Sequence, residues 1–353
     1  MDLMDHLEMA VEQQASDLFI VAGGPVSCKR DGRILPLWEG ASRILPPETE
    51  RLISGLYRLA ERPMDRYRET GDDDFSFAVA GLARFRVSAY YQRGSVAAVV
   101  RLVSFDIPSW RDLSIPEEVM ALADAGHGFV VVTGTAGSGK STTQACVIDR
   151  INRTHENHII TLEDPIEYLH RNCRSIVSQR EIAIDTADYL SALRSCLRQA
   201  PDVILLGEMR DPETIRTALT AAETGHLVIA TLHTRGAVNT IDRIIDAFPA
   251  AQQGQVRAQL ASVLRTVVSQ QLLTSADGGQ VPAFEILHAN PAVRSMIREG
   301  KTHQIDNLIR TSAAQGMVSM DQYLERLVRS GRALAEDAAA CADDPEQLLR
   351  RLG

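Results

Sequence analysis

The chain has 353 residues, enough for two or three domains. Hydrophobic residues make up 45% and charged residues 24%, which excludes a mainly disordered or fibrous chain. Lys and Arg number 37 against 46 Asp and Glu, and the net charge of −9 suits a phosphate backbone poorly, so nucleic acid is not an expected partner.

The N-terminus MDLMDHLEMA is acidic where a signal peptide needs basic residues, and no apolar run reaches the ~18–20 residues of a membrane span. A cytoplasmic protein is expected. Cys28, Cys146, Cys173, Cys196 and Cys341 are widely spaced, with neither a CxxC pair for zinc nor a short-range disulfide framework, which suits a reducing compartment.

Residues 1–105 read as a small α+β domain. Residues 3–14 have helical spacing, and 17–37 read as two strands about the tight-turn dipeptide Asp31-Gly32. Residues 82–92 alternate strictly, with Phe85, Val87, Ala89 and Tyr91 on one face and Arg84, Arg86, Ser88, Tyr90 and Gln92 on the other. A strand over 95–103 is predicted to pair with this one across Arg93-Gly94, adding Arg101. The stretch 104–118, with two prolines and no sustained period, reads as a linker, placing the domain boundaries at 105 and 119.

From 119 to 353 the pattern changes. Apolar runs at 129–132, 159–162, 203–206 and 227–230 are short, rich in Val and Ile, and separated by helical segments, as in the buried parallel sheet of an α/β domain. From Asp246 onward the chain reads as mostly helical, for example through Val256, Leu260, Val263, Leu264, Val267 and Val268.

Between the run at 129–132 and a predicted helix stands Gly134-Thr135-Ala136-Gly137-Ser138-Gly139-Lys140-Ser141-Thr142, a complete GxxxxGK[ST] pattern. The glycines let backbone N–H groups converge on a β-phosphate, and the helix N-terminus adds positive potential. Lys140 reaches the β/γ oxygens and the Ser141 hydroxyl ligates Mg²⁺. A site for ATP with Mg²⁺ is expected.

Hydrolysis needs a group that orients or deprotonates water, and α/β sheets deliver such groups from the carboxyl ends of their strands. One run ends in Glu163-Asp164-Pro165; another ends in Gly207-Glu208, with Asp202 at its start. Glu208 is the candidate general base and Glu163 a supporting acid, both near Mg²⁺. The strand over 227–232 is flanked by His226 and His233. His233, with Thr231 and Thr234, is a candidate sensor of the γ-phosphate, while His226 is as readily structural.

Together with the phosphate loop, ITLEDPIEY at 160–168, VILLGEMRDPETI at 203–215 and TGHLVIATLHT at 224–234 resemble the Asp box, Walker B strand and His box of the secretion ATPases of type II secretion and type IV pili. SDLF, ARFRVSAYYQR at 83–93, TIDRIIDAFP at 240–249 and PAVRSMIRE at 291–299 resemble the pilus-retraction ATPases of the PilT/PilU type. YYQR and LRQAPDVI look more like the PilU branch, whereas residues 207–227 look more like PilT.

The resemblance implies a PAS-like N-terminal domain joined to a RecA-like P-loop ATPase domain, assembled as a homo-hexamer with nucleotide held between the two. It implies docking onto the inner-membrane platform protein of a type IV pilus, and a paralogous retraction ATPase as a further partner. By the same resemblance, Arg84, Arg86 and Arg101 reach toward the phosphates; arginines that merely solvate a sheet face are the alternative. The function implied is an ATP-driven motor that depolymerises a pilus. The alternatives are an accessory paralogue with little turnover of its own and a nucleic-acid translocase, which the acidic balance disfavours. Asn290 and Pro291 are good starting signals for a helix that carries Val293, Met296 and Ile297 on one face and Arg294, Arg298 and Glu299 mainly on the other. That helix is either an ordinary amphipathic helix or a transmission element.

Overall fold

Asp2 starts the first helix, Leu3–Glu12, in a capping box in which its side chain accepts from the Asp5 N–H and Asp5 accepts from the Asp2 N–H. The structure, a computed structural model, describes residues 2–30, 33–103 and 107–352. It divides into two units: residues up to 106 with Glu167–Leu169, and Ile107–Ile166 with the rest of the chain from His170.

The first unit is built on β1 (Asp17–Val21), β2 (Ser27–Arg30), β3 (Arg33–Pro36), β4 (Asp72–Val79), β5 (Ala83–Gln92) and β6 (Ser95–Val103). They form one antiparallel sheet in the order β3-β2-β1-β6-β5-β4. Three strands stand where residues 17–37 predict two, because Gly23, at φ +90°, and Pro25, which has no N–H, interrupt the ladder. The expected turn at Asp31-Gly32 lies outside the described residues. The β5–β6 hairpin turns on Arg93 and Gly94, at φ +47° and +75°. Leu7, Leu18, Ile53, Leu56, Phe85 and Val87 are fully buried between this sheet and the helices Leu3–Glu12 and Pro46–Leu59. Tyr91 departs from its predicted core position: it is 47% exposed at the strand end and stacks on Tyr67.

The second unit holds β7 (Gly128–Thr133), β8 (His158–Glu163), β9 (Ile176–Glu181), β10 (Val203–Leu206), β11 (Leu227–Leu232), β12 (Leu264–Thr274) and β13 (Gln280–His288). The sheet order is β13-β12-β7-β11-β10-β8-β9, parallel except for the antiparallel β13. Along β7, Phe129 and Val131 enter one apolar core while Val130 and Val132 enter another. Burial on both faces is why these strands read as unbroken apolar runs.

The structure departs from the sequence pattern at two places. Residues 264–274 form the strand β12, not part of a helix: helix Ala250–Val263 stops at Val263, and the chain then runs parallel to β7. The apolar spacing that suggested a helix belongs to a strand covered on both sides, where alternation carries no signal. The stretch read as a linker is, from Ile107 on, part of the second unit. Ile107, Trp110, Leu113 and Ile115 pack into its core.

Candidate active site

Parallel pairing brings the carboxyl ends of β12, β7, β11, β10 and β8 to one edge, and the candidate residues lie along it in that order. β7 ends at Thr133, and the loop from Gly134 to Gly139 leads into helix Lys140–Thr154. Gly134, Gly137 and Gly139 have φ of +145°, +77° and +85°, conformations that oppose any side chain. A Cβ on Gly134 would stand 2.2 Å from the Gln270 carbonyl oxygen. The loop is a backbone cradle seated on β12.

Lys140 is 7% exposed, and its Nζ donates to the Gly134 and Thr135 carbonyls at 2.9 and 2.7 Å. Ser141 and Thr142 follow it in the first helical turn. The buried Ser138 Oγ has no hydrogen-bond partner among the described residues. Behind the loop, Thr143 donates to Gln270 Oε1 at 2.8 Å, and Gln144 donates to Thr231 at 2.8 Å, tying the helix to the strands on either side of β7. A cavity of about 730 Å³ opens beside Gly139, Thr142 and Thr143 and is walled by Leu113, Leu272 and Arg332.

On the other side of β7, Thr133 donates to the Thr234 carbonyl at 2.6 Å, so the phosphate loop and the loop after β11 are fastened together. His233 Nε2 meets Glu208 Oε1 at 3.2 Å, and Arg210 donates to Glu208 Oε2 at 2.8 Å. Burial raises the Glu208 pKa, but Arg210 and His233 outweigh it and hold the carboxyl below its usual range. Glu208 therefore stays ionised at neutral pH. Glu163, at the end of neighbouring β8, accepts from Thr161 at 2.5 Å and from Gln179 at 3.2 Å. Tyr189 lies among these acids. Its hydroxyl pKa is pushed up by burial and then by Asp164, Glu208 and Glu163.

Glu208 and His233 are thus brought together, with Glu163 on the adjoining strand. His226 is structural: Nδ1 lies 2.8 Å from the Ala221 carbonyl, at the end of helix Pro212–Glu223. Asp202 is structural too, accepting the His158 N–H at 2.7 Å. Arg84, Arg86 and Arg101 belong to the first unit. Arg86 and Arg101 stand directly opposite across β5 and β6, and Arg101 pairs with Asp17 at 2.9 Å. Sequence reading missed Arg210, Gln144, Tyr189 and Gln270. Arg210 had a signal, two residues after Glu208, whereas Gln270 was hidden by reading β12 as helix.

Helix Pro291–Glu299 is capped by Asn290 as expected, its side chain accepting the Val293 N–H at 3.0 Å. Val293 and Ile297 are fully buried. Arg294 corrects the expectation of a purely solvent-facing charge. It is half-buried and donates to the carbonyls of Ala261 and Ser262 at 2.5 and 2.6 Å.

Among the described residues, no helix is long and apolar enough to cross a membrane, and no group of three His, Cys, Asp or Glu side chains is arranged to hold a metal. A hydroxyl with one or two carboxylates is the sparse protein ligation that Mg²⁺ takes beside phosphates. The glycine cradle and the buried, unpartnered Ser138 hydroxyl fit an anionic ligand on the loop.

The family model described as type II/IV secretion system protein matches residues 1–340. The chain is 43% identical over 349 residues to the type IV pilus retractation ATPase PilT of Pseudomonas aeruginosa, covering 98% of this chain and 99% of that protein. It is 40% identical over 349 residues to the type IV pilus ATPase PilU of the same organism, covering 99% and 90%. A crystal structure of the pilus retraction motor PilT with bound ADP superposes with a TM-score of 0.90 at 44% identity, covering 99% of each chain. The chain therefore belongs to the type II/IV secretion system protein family and, within it, to the PilT/PilU pilus-retraction ATPases.

Proposed function

We propose that this chain is a hexameric motor that hydrolyses ATP to ADP and phosphate and uses the cycle to withdraw pilin subunits from a type IV pilus. The observation that carries the reading is the ionised Glu208, held by His233 and Arg210 one strand away from the loop tied to Thr133. The whole-length likeness to PilT supports it.

The residues divide the work. Gly134 to Gly139, with Lys140 and Thr142, hold the phosphates, and the cavity beside Thr142 and Thr143 takes the nucleoside. Ser141, with Glu163 and Glu208 near it, would hold Mg²⁺, whose charge neutralises phosphate oxygens when bound. Glu208 orients the attacking water and takes its proton as the new P–O bond forms and the γ–β bridging bond breaks, leaving ADP. A carboxyl kept below its usual pKa suits orientation first and proton acceptance late. His233, which meets Glu208 and immediately precedes the Thr234 fastened to Thr133, reports the departure of the γ-phosphate. Arg84, Arg86 and Arg101 add positive charge to the transferring group, a role that arginine's planar fork suits.

The motor acts at the cytoplasmic face of the inner membrane, docked on the pilus platform protein, and a paralogous ATPase joins it. The deciding experiment measures phosphate release by the purified protein alongside pilus retraction in cells. ATP-dependent release that is lost with retraction in Glu208→Gln supports the motor. Retraction that persists without any release assigns the chain to the accessory reading.

A further inference from the structure

Glu285 sits in the middle of β13, 3% exposed, and takes no part in the chemistry described above. A buried carboxylate is costly unless partners satisfy both oxygens. Here the partners are the first residues of two different helices. Oε1 accepts the Ala237 N–H at 2.6 Å, and Oε2 accepts the Met320 N–H at 3.3 Å. Ala237 opens helix Ala237–Asp246 and Met320 opens helix Met320–Arg329, so two positive helix ends converge on one carboxyl group.

From Ala237 the chain runs back to the nucleotide site in four residues. Gly236, at φ +82°, donates to Ser269 of β12 at 3.0 Å. Thr234 is fastened to Thr133, and His233 meets Glu208. From Met320 the chain runs the other way, carrying Leu324 and Leu327 into the small core they share with Leu273, Val281 and Leu348. Around Glu285 lies a cavity of about 260 Å³ whose lining includes Asp306, Arg310, Ser319 and Asp343. The cavity borders both helix starts, through Gly236 and Ser319.

We propose that Glu285 is a positioning residue for hydrolysis, fixing the His233 loop through helix Ala237–Asp246 and tying that loop to the C-terminal helices through Met320. It reaches no reacting atom. It sets where His233 stands against Glu208, and it makes the C-terminal helices part of that setting. The inference rests on the reading of Glu208 given above.

Two variants and one exchange measurement test it in the full chain. Glu285→Gln keeps one acceptor oxygen and turns a donor toward the second N–H. Its kcat for ATP is expected to fall at least tenfold with KM within twofold, and amide exchange is expected to quicken in both 230–240 and 318–324. Ala237→Pro removes only the first donor at a position where a helix accepts proline. It is expected to lower kcat similarly while leaving protection at 318–324 intact. In the unaltered protein, the Ala237 and Met320 amides are expected among the slowly exchanging core amides. Normal turnover in either variant, unchanged exchange over 230–240 in Glu285→Gln, or fast exchange at either amide of the unaltered protein overturns the proposal. Failure of the Glu208 reading shows separately, as normal hydrolysis by Glu208→Gln, and leaves the exchange results to stand or fall alone.

Discussion

The carboxylate of Glu208 is shared: His233 Nε2 meets one oxygen at 3.2 Å while Arg210 donates to the other at 2.8 Å. A carboxylate bridged in this way is occupied on both oxygens, so in the proposed role of base it is reached only by a water that competes with one of the two contacts. Glu208→Gln is expected to bind ATP within a few-fold of the unaltered protein and to lose at least 10²-fold in kcat. Lys140→Ala, by contrast, is expected to weaken binding. Equilibrium nucleotide titration with single-turnover hydrolysis separates the two, and unimpaired turnover in Glu208→Gln would remove it as the base.

The phosphate loop lies against β12 with no spare room. Gly134→Ala places a Cβ 2.2 Å from the Gln270 carbonyl, at a φ of +145°. A backbone oxygen cannot swing aside as a side chain can. The variant is expected to bind nucleotide at least tenfold more weakly with a lower Tm, measured by nucleotide titration and thermal melting.

Arg294 and Arg298 share a helix but have different duties. Arg294 closes the carbonyls of Ala261 and Ser262 at the end of helix Ala250–Val263, whereas Arg298 is exposed. Arg294→Ala is expected to cost about 1–3 kcal/mol in denaturant unfolding, the range for leaving buried hydrogen-bonding groups without their partner. Arg298→Ala should change stability by less than about 0.5 kcal/mol. A retraction defect in Arg298→Ala with near-normal hydrolysis would mark this helix as a transmission element; normal retraction would leave it an amphipathic support.

Glu285 also shapes stability against pH. Burial, with Asp343 and Asp306 nearby, pushes its carboxyl from 4.5 up to about 7, against the lowering pull of the Ala237 and Met320 N–H groups. Arg310 and Ser319 also line its cavity. Because the folded protein holds this proton more tightly than the unfolded chain, the contribution is complete below pH 4.5 and is lost as pH rises through about 7. The stability difference between the unaltered protein and Glu285→Gln is expected to shrink or reverse between pH 5 and 8. A difference independent of pH in parallel denaturant melts contradicts this.

Arg84 and Arg86 project from the face of β5 opposite Phe85 and Val87. Arg86→Ala is expected to lower turnover by tenfold or more without lowering Tm, since its side chain lies on the face of β5 away from the buried Phe85 and Val87. Turnover equal to that of the unaltered protein would leave these arginines as surface charges.

The phosphate loop, the acids after β8 and β10, and the histidine after β11 were legible in the sequence because each is local: a short apolar run, then a few residues whose chemistry depends on their spacing. The alternating arginines of β5 were legible for the same reason, since a period of two survives wherever one face is solvated. The two glycines and a proline at 23–25 broke a strand that the apolar pattern carried straight through. Tertiary structure alone decided the rest. Gln270 holds Thr143, in the first turns of the helix that follows the phosphate loop, across 127 residues of chain because β12 pairs in parallel with β7, and a strand buried on both faces leaves no period to read. Arg294 became a carbonyl clamp because helix packing set it beside Ala261. Glu285 acquired two helix ends from opposite directions along the chain. Spacing encodes what a residue can do with its neighbours in sequence; which distant backbone N–H or carbonyl it meets is set only when the sheet order places the strands side by side.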